Sequence, residues 1–389
     1  MKRFFRLNWP LFVSMIALIG LGTMSIWSAG NARAESVFHE MWISNLVTAG
    51  LGLGLYFLLA LVDYRKWLAF VAGPAYVASV VCLLAVLLFG SEQFGGRRWL
   101  WFFQPSEISK LCSLMLIAVL FGDERSPIVR IRTSFWGFLL ACALIGVPAL
   151  LILAEPDLGT ALTLVPAALL MVFVAGTWWR GLATLVAIAG MAALLLLGAV
   201  YEAEKPGTPT ERRDRILRFV PLRPHQVRRI KVFLFPESDV TGAGYNLRQA
   251  QISIGSGGLT GKGVGKGESN HLKYLPQSIS MNDFIFCVYA EETGFVGSLT
   301  LLTLFGILLL SCCWSAFVAA DASGCLMALG VSALIFAHVY VNIAMSIGLV
   351  PITGLPLPFI SAGRTFLITV MCGLGIVQSI YIHREEKEK

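Results

Sequence analysis

Charge is what this sequence has least of. Only 14% of its 389 residues are Asp, Glu, Lys or Arg, against 57% hydrophobic, and the mean hydropathy is +0.75. A soluble domain carries about 25% charged residues, so a water-solvated globule is excluded. Histidine is scarce too: five residues, scattered singly, form no visible metal cluster. Eight cysteines are present, but no C-x-x-C, and none falls in the one long polar stretch. They read as small apolar packing residues rather than a disulfide framework or a zinc site. The apolar segments do not alternate with polar residues, which excludes a membrane β-barrel.

What is present instead is a series of apolar runs about 20 residues long, the length of a membrane helix. Ten spans are expected, at roughly 9–30, 42–63, 67–90, 105–121, 134–154, 158–176, 178–200, 284–312, 323–350 and 361–382. The fold class is therefore an all-α integral membrane protein: one polytopic bundle of about ten helices, residues 1–389, with a single large polar loop at 201–283. The N-terminus imitates a signal peptide, with basic residues, an apolar run and Ala32-Arg33-Ala34 after it. The run from Trp9 to Ala29 is longer than the usual 7–15-residue core of such a peptide, so a retained first helix is expected.

Lys and Arg in the short loops orient the bundle. With the N-terminus inside, the cytoplasmic segments hold Lys2, Arg3, Arg6, Arg65, Lys66, Arg125, Arg130, Arg132, Arg180, Arg384, Lys387 and Lys389. The short outer loops hold only Arg33, Arg97 and Arg98. Both termini are then cytoplasmic and the 201–283 loop is outside. From 201 to 282 that loop has thirteen Lys and Arg against seven Asp and Glu, a net +6 in a chain of net +7. Such a field attracts an anionic ligand or lies on anionic lipid; the two readings are compatible, because an anionic lipid can be the substrate. A nucleic acid partner is not expected.

Polar motifs gather at the outer ends of the spans. RRWLWFFQPSEISKL (97–111) puts Arg98, Gln104, Glu107 and Lys110 at the start of one. Glu107 and Lys110 are three apart and share a helix face, so they either pair structurally or serve a site. Glu155-Pro156-Asp157 forms a tight turn, where Asp157 is placed to cap the next helix. ISIGSGGLTGKGVGKG (252–267) carries Lys262 and Lys266 but lacks the G-x-x-x-x-G-K-[ST] spacing of a nucleotide loop. A backbone nest for phosphate and a plain turn-rich loop both remain open. NIAMSIGLVPITGLPLPFISAGR (342–364) breaks a helix with three prolines, and non-helical backbone at membrane depth must be buried or line a cavity. Asp283, in QSISMNDFIF, is an isolated carboxylate at the mouth of an apolar helix. Glu291 and Glu292 follow two turns deeper in the expected span.

These stretches resemble the SEDS family (shape, elongation, division and sporulation), and within it the rod-shape branch more than the division branch. The resemblance runs from GGRRW and QPSEISKL through EPDLGTAL, PESDVTGAGYNLRQAQISIGSGGLTGKG, NDFIFCVYAEETGFVG and GLVPITGLPLPFIS, nearly the whole chain. One departure stands out. The family follows PLPFIS with Tyr-Gly-Gly and a small hydroxyl residue, whereas this chain has Ser361-Ala362-Gly363-Arg364-Thr365, a cation in place of a glycine.

What the resemblance implies is a peptidoglycan glycosyltransferase of the bacterial cytoplasmic membrane. It would polymerise lipid II on the outer face during cell elongation, beside a class B penicillin-binding protein. The family's catalytic acid falls on Asp283, which would serve as general base. Arg98, Lys110, Lys262 and Lys266 are the expected cations for the leaving pyrophosphate, with a divalent ion (magnesium or manganese) as an optional aid. Gln104, Glu107, Glu155, Asp157 and Ser361 are expected around the substrate. A lipid II flippase is the alternative, since broken helices and buried ions suit transport as well. An inactive scaffold is a third reading, but it leaves Asp283 unexplained.

Overall fold

The computed structural model describes residues 6–31, 40–93, 96–100, 103–239, 242–268, 276 and 280–384. The signal-peptide mimic at Ala32–Ala34 and the charges Lys2, Arg3, Arg33, Lys387 and Lys389 lie outside them. Helices dominate: α1 (Trp9–Asn31), α2 (Met41–Leu61), α3 (Tyr64–Phe89), α4 (Pro105–Gly122), α5 (Phe135–Ala154), α6 (Leu158–Val174) and α7 (Trp179–Glu204). A small antiparallel hairpin, β1 (Ser91–Gln93) and β2 (Gly96–Trp99), joins α3 to α4. The polar stretch after α7 folds into α8 (Thr210–Leu217), α9 (Pro224–Leu234) and α10 (Ala243–Ser256). Then come α11 (Ile285–Phe317), α12 (Ala322–Ser346) and α13 (Arg364–Ile382).

Nine of the described helices are long and apolar enough to cross a membrane. The tenth expected span is α6, which has 17 residues, the short end of the spanning range. The protein is a multi-pass membrane protein. α4, α12 and α13 bury most of their surface within the bundle, whereas α7 buries almost none. The reason lies in composition. α4 carries Ser106, Ser109 and Ser113 and α13 carries Gly373 and Gly375, small residues that let backbones approach where lipid supplies no hydrophobic drive. α7 is rich in leucine and offers Leu194 and Leu195 to the surroundings.

α11 departs from the expected continuous span. It bends at Gly294, whose φ of 67° and ψ of −161° are not helical. A break strands backbone groups on both sides. The glycine-rich loop after α10 satisfies them. Phe295 and Val296 donate to the carbonyls of Gly258 and Leu259, at 2.9 and 3.1 Å. Lys262 and Gly263 donate to the carbonyls of Glu291 and Glu292, at 3.0 and 2.9 Å. A Cβ on Gly294 would meet the Gly261 nitrogen at 2.3 Å, so the two backbones touch only because both residues are glycine. Glu291 and Glu292 thus sit at a helix break against this loop, not two turns inside a continuous span.

Candidate active site

Four helix N-termini converge on one end of the bundle: those of α4, α6, α11 and α13. Their positive dipole ends make that end favourable for an anion. Between them lies a cavity of about 360 Å³. β2 contributes Arg98, and the α4 entrance contributes Gln104 and Glu107. Asp157 comes from the N-cap of α6, Arg229 from α9, and Asn282 and Asp283 from the segment before α11. The non-helical stretch between α12 and α13 closes the wall with Gly354, Leu355 and Pro356. Leu355, Leu357, Phe359 and Ile360 of that stretch are buried, so it is packed inside the protein as backbone at membrane depth must be.

The backbone around Asp283 is held at several points. The Asn342 amide, on α12, donates to the Asp283 carbonyl at 2.9 Å and to the Leu355 carbonyl at 2.7 Å. The Ser361 hydroxyl donates to the Asn282 carbonyl at 2.6 Å and accepts from the Leu357 N–H at 2.8 Å. Gly354 has a φ of 76°, and a Cβ there would lie 3.3 Å from Asp283 Oδ2. The Asp283 side chain is half-buried, and among the described residues no donor bonds its carboxylate. Burial raises its pKa to about 6, against the pull of Arg229 and Arg98; Asp157 adds to the rise. A carboxylate tuned toward neutrality and left without a partner is suited to taking up a proton.

The two arginines are fixed by backbone carbonyls. Arg98 donates to the Pro156 carbonyl. Arg229 donates through Nη1 to the Thr353 carbonyl at 3.0 Å, and burial, with Arg98 nearby, lowers its pKa. Asp157 has two tasks. It caps α6 through the Thr160 N–H at 3.2 Å and hydroxyl at 2.8 Å, and it accepts from Gln104 Nε2 at 3.1 Å while lining the cavity. Glu155 lies fully buried behind it, and neither carboxylate oxygen has a partner among the described residues. Burial, with Asp157 close by, pushes its pKa up to about 8, against the pull of Arg98. Glu155 does not line the cavity.

Below the cavity Glu107 and Lys110 form an ion pair at 2.9 Å, both side chains almost completely buried. Lys110 Nζ also donates to His338 Nε2 at 2.8 Å, and His338 Nδ1 faces the Pro356 carbonyl at 3.3 Å. Ammonium has no lone pair, so Nε2 accepts and the proton of His338 is on Nδ1. Lys110 therefore supports the floor instead of facing the cavity.

Three sequence expectations are corrected here. Lys262 is bound to Glu291 at 2.9 Å and Glu268 at 3.3 Å, and Lys266 is exposed on the same loop; neither lines the cavity. Their loop is occupied in capping the α11 break, so the phosphate-nest reading falls. Ser361 spends its hydroxyl on backbone and does not line the cavity. Of the two acids at the break, buried Glu291 pairs with Lys262, and buried Glu292 accepts from the Ser28 hydroxyl of α1. Sequence reasoning missed Arg229, Asn342 and His338. Arg229 is one of eight arginines in the polar stretch, and only the packing of α9 singles it out. Asn342 and His338 carried a usable signal: two polar side chains four apart in an apolar helix, hence on one face.

Among the described residues no group of three or more His, Cys, Asp or Glu side chains is arranged to hold a metal ion.

The geometry can be set beside known proteins. The family model for "Cell cycle protein", FtsW/RodA/SpoVE, matches residues 9–386. The peptidoglycan glycosyltransferase MrdB of Escherichia coli K12 is 33% identical over 388 residues, 97% of this chain and 94% of that protein. A probable peptidoglycan glycosyltransferase FtsW of Geobacter sp. M18 is 29% identical, covering 96% of each chain. Among solved structures, the rod shape determining protein RodA of Thermus thermophilus aligns with a TM-score of 0.67 at 28% identity, covering 98% of both chains. A chain from work described as "Structural coordination of polymerization and crosslinking by a peptidoglycan synthase complex" aligns at 0.71 and 30% identity, covering 98% of this chain and 99% of its own. With its family match almost end to end and its bundle shared with RodA, this chain belongs to the FtsW/RodA/SpoVE family of cell cycle proteins.

Proposed function

We propose that this protein is a peptidoglycan glycosyltransferase that polymerises lipid II, with Asp283 as the general base. The observation that carries the reading is the Asp283 carboxylate, without a hydrogen-bond donor among the described residues and raised to a pKa of about 6, in a cavity walled by Arg98, Arg229 and four helix N-termini. The acceptor sugar hydroxyl attacks the anomeric carbon of the donor. A C–O bond forms there as the bond to the lipid pyrophosphate breaks, and the hydroxyl proton passes to Asp283. The linkage inverts in this single displacement. Arg98 and Arg229 stabilise the charge that gathers on the leaving pyrophosphate. Gln104 and Asp157 line the same cavity. The relatives named as peptidoglycan glycosyltransferases support the reaction class.

The bias of charged short loops supports both termini in the cytoplasm and the cavity outside, where lipid-linked precursors are polymerised. The likeness to a chain of a peptidoglycan synthase complex supports a class B penicillin-binding protein as partner, supplying cross-linking. A flippase needs its polar site near mid-membrane. The charged groups of this cavity gather at one end of the bundle instead, which favours the enzyme.

The test is purified protein with labelled lipid II, alone and with its partner. Polymer should form with the wild type and be absent with Asp283→Ala, while both stay folded in detergent. Polymer should also form in vesicles whose lipid II lies only in the leaflet facing the 201–283 loop. Translocation of lipid II without polymer, or full polymerisation by Asp283→Ala, would overturn the proposal.

A further inference from the structure

A second concavity meets the Asp283 cavity. A groove of about 1020 Å³ runs between α2, the start of α4 and α13. Its walls are helical stripes: Val47, Thr48 and Leu51 on α2, and Thr365, Ile368 and Cys372 on α13. Val47 and Leu51 are exposed, which opens the groove along the outer face of α2. Two residues line both the groove and the cavity, Arg364 and Thr365, the first two of α13.

Arg364 is exposed and forms no ion pair among the described residues, although Glu40 lines the same groove. Arg98 and Arg229, by contrast, are each tied to a carbonyl. A guanidinium at the first residue of a helix is repelled by the helix dipole, so its place is unfavourable until an anion arrives. From the groove inward the order is an apolar wall, Arg364, then a cavity lined by acids and amides together with Arg98 and Arg229. That order matches an apolar tail, a phosphate and a sugar.

We propose that Arg364 is a phosphate-binding residue. It holds the pyrophosphate of a polyprenyl-linked substrate where the tail, lying in the groove, meets the sugar, lying in the cavity. The inference rests on the reading above that the substrate is lipid-linked. The Arg364 guanidinium can offer two parallel N–H donors to the phosphate oxygens, a geometry a lysine does not reproduce.

The test measures binding to the full-length protein in nanodiscs of uncharged lipid. The probes are undecaprenyl pyrophosphate, neutral undecaprenol and phosphatidylglycerol. Arg364→Ala should weaken undecaprenyl pyrophosphate about tenfold to a hundredfold, the scale of one charge-assisted hydrogen bond, and leave undecaprenol unchanged. Arg364→Lys should recover part of the loss. Ile368→Trp, which fills the groove, should weaken both polyprenyl probes. Equal binding of undecaprenyl pyrophosphate by wild type and Arg364→Ala overturns the role of Arg364 and leaves the lipid-linked reading standing. So does an equal loss of undecaprenol, which makes the residue a packing element. Phosphatidylglycerol binding as tightly as undecaprenyl pyrophosphate reduces the site to a general lipid contact and also overturns it. A wild type that binds neither polyprenyl probe brings down the lipid-linked reading together with the inference.

Discussion

As the proposed base, Asp283 acts only when ionised, so its raised pKa of about 6 would set the acid side of the activity profile. The ratio kcat/KM should fall about tenfold per pH unit below that value and level off above it. The sign of the stability effect is opposite. The folded protein holds this proton more tightly than the unfolded chain, so the carboxylate costs stability as pH rises from about 4 to about 6. Asp283→Asn should therefore abolish polymerisation at pH 7.5 yet melt no lower than the wild type. Arg229 is the largest influence pulling the Asp283 pKa down. Arg229→Met should move the acid limb upward, and Arg229→Lys should leave it nearly in place. A limb unmoved in Arg229→Met would show that the guanidinium does not act on Asp283. Sequence alone isolated Asp283 because a carboxylate before an apolar helix has no cheap explanation. It could not find Arg229, because a basic helix of a polar loop does not reveal which of its arginines turns inward.

At the scale of elements, α4 and α12 are joined under the cavity by Glu107, Lys110 and His338. The i, i+3 spacing made the Glu107–Lys110 pair legible; its third member lies 228 residues on from Lys110 and was not. Lys110→Met strands a buried carboxylate, which costs about 3–5 kcal/mol. Thermal unfolding in detergent should show that loss for the single variant and recover most of it for Glu107→Gln with Lys110→Met. If the double variant unfolds as early as the single one, the pair is not what holds these helices. The boundaries of α11 show the same division. Its apolar run was plain, but the break at Gly294 was hidden, because glycine within a membrane helix is common and marks no break by itself. The loop that caps the break carries the glycines and lysines that suggest a phosphate nest. Those glycines serve a close approach of two backbones instead.

At the scale of the whole molecule, short-loop charge bears on sidedness. The twelve-to-three excess of short-loop charge predicts that the stretch between α7 and α11 faces outward. Gly207 lies at its start with a φ of 90° and nothing within 4 Å of a Cβ built there. Gly207→Cys, in a background without the natural cysteines, should react with a membrane-impermeant thiol reagent added to intact cells. Reaction only after the membrane is opened would invert the bundle and place Asp283 on the cytoplasmic face.

Composition and run length determined that this is a polytopic helical membrane protein, because the bilayer demands about 20 apolar residues per span and leaves few other solutions. Motifs longer than ten residues determined the family, and a lone carboxylate at a helix mouth marked Asp283 as the candidate base. The tertiary structure decided which charges meet. Arg98 and Arg229 share one cavity with Asp283, while Lys262 and Lys266 lie with Glu291 and the broken helix. That choice is made by side-chain packing and by backbone groups that must be satisfied at a break. Both join residues distant along the chain, so neither leaves a periodic mark in the sequence.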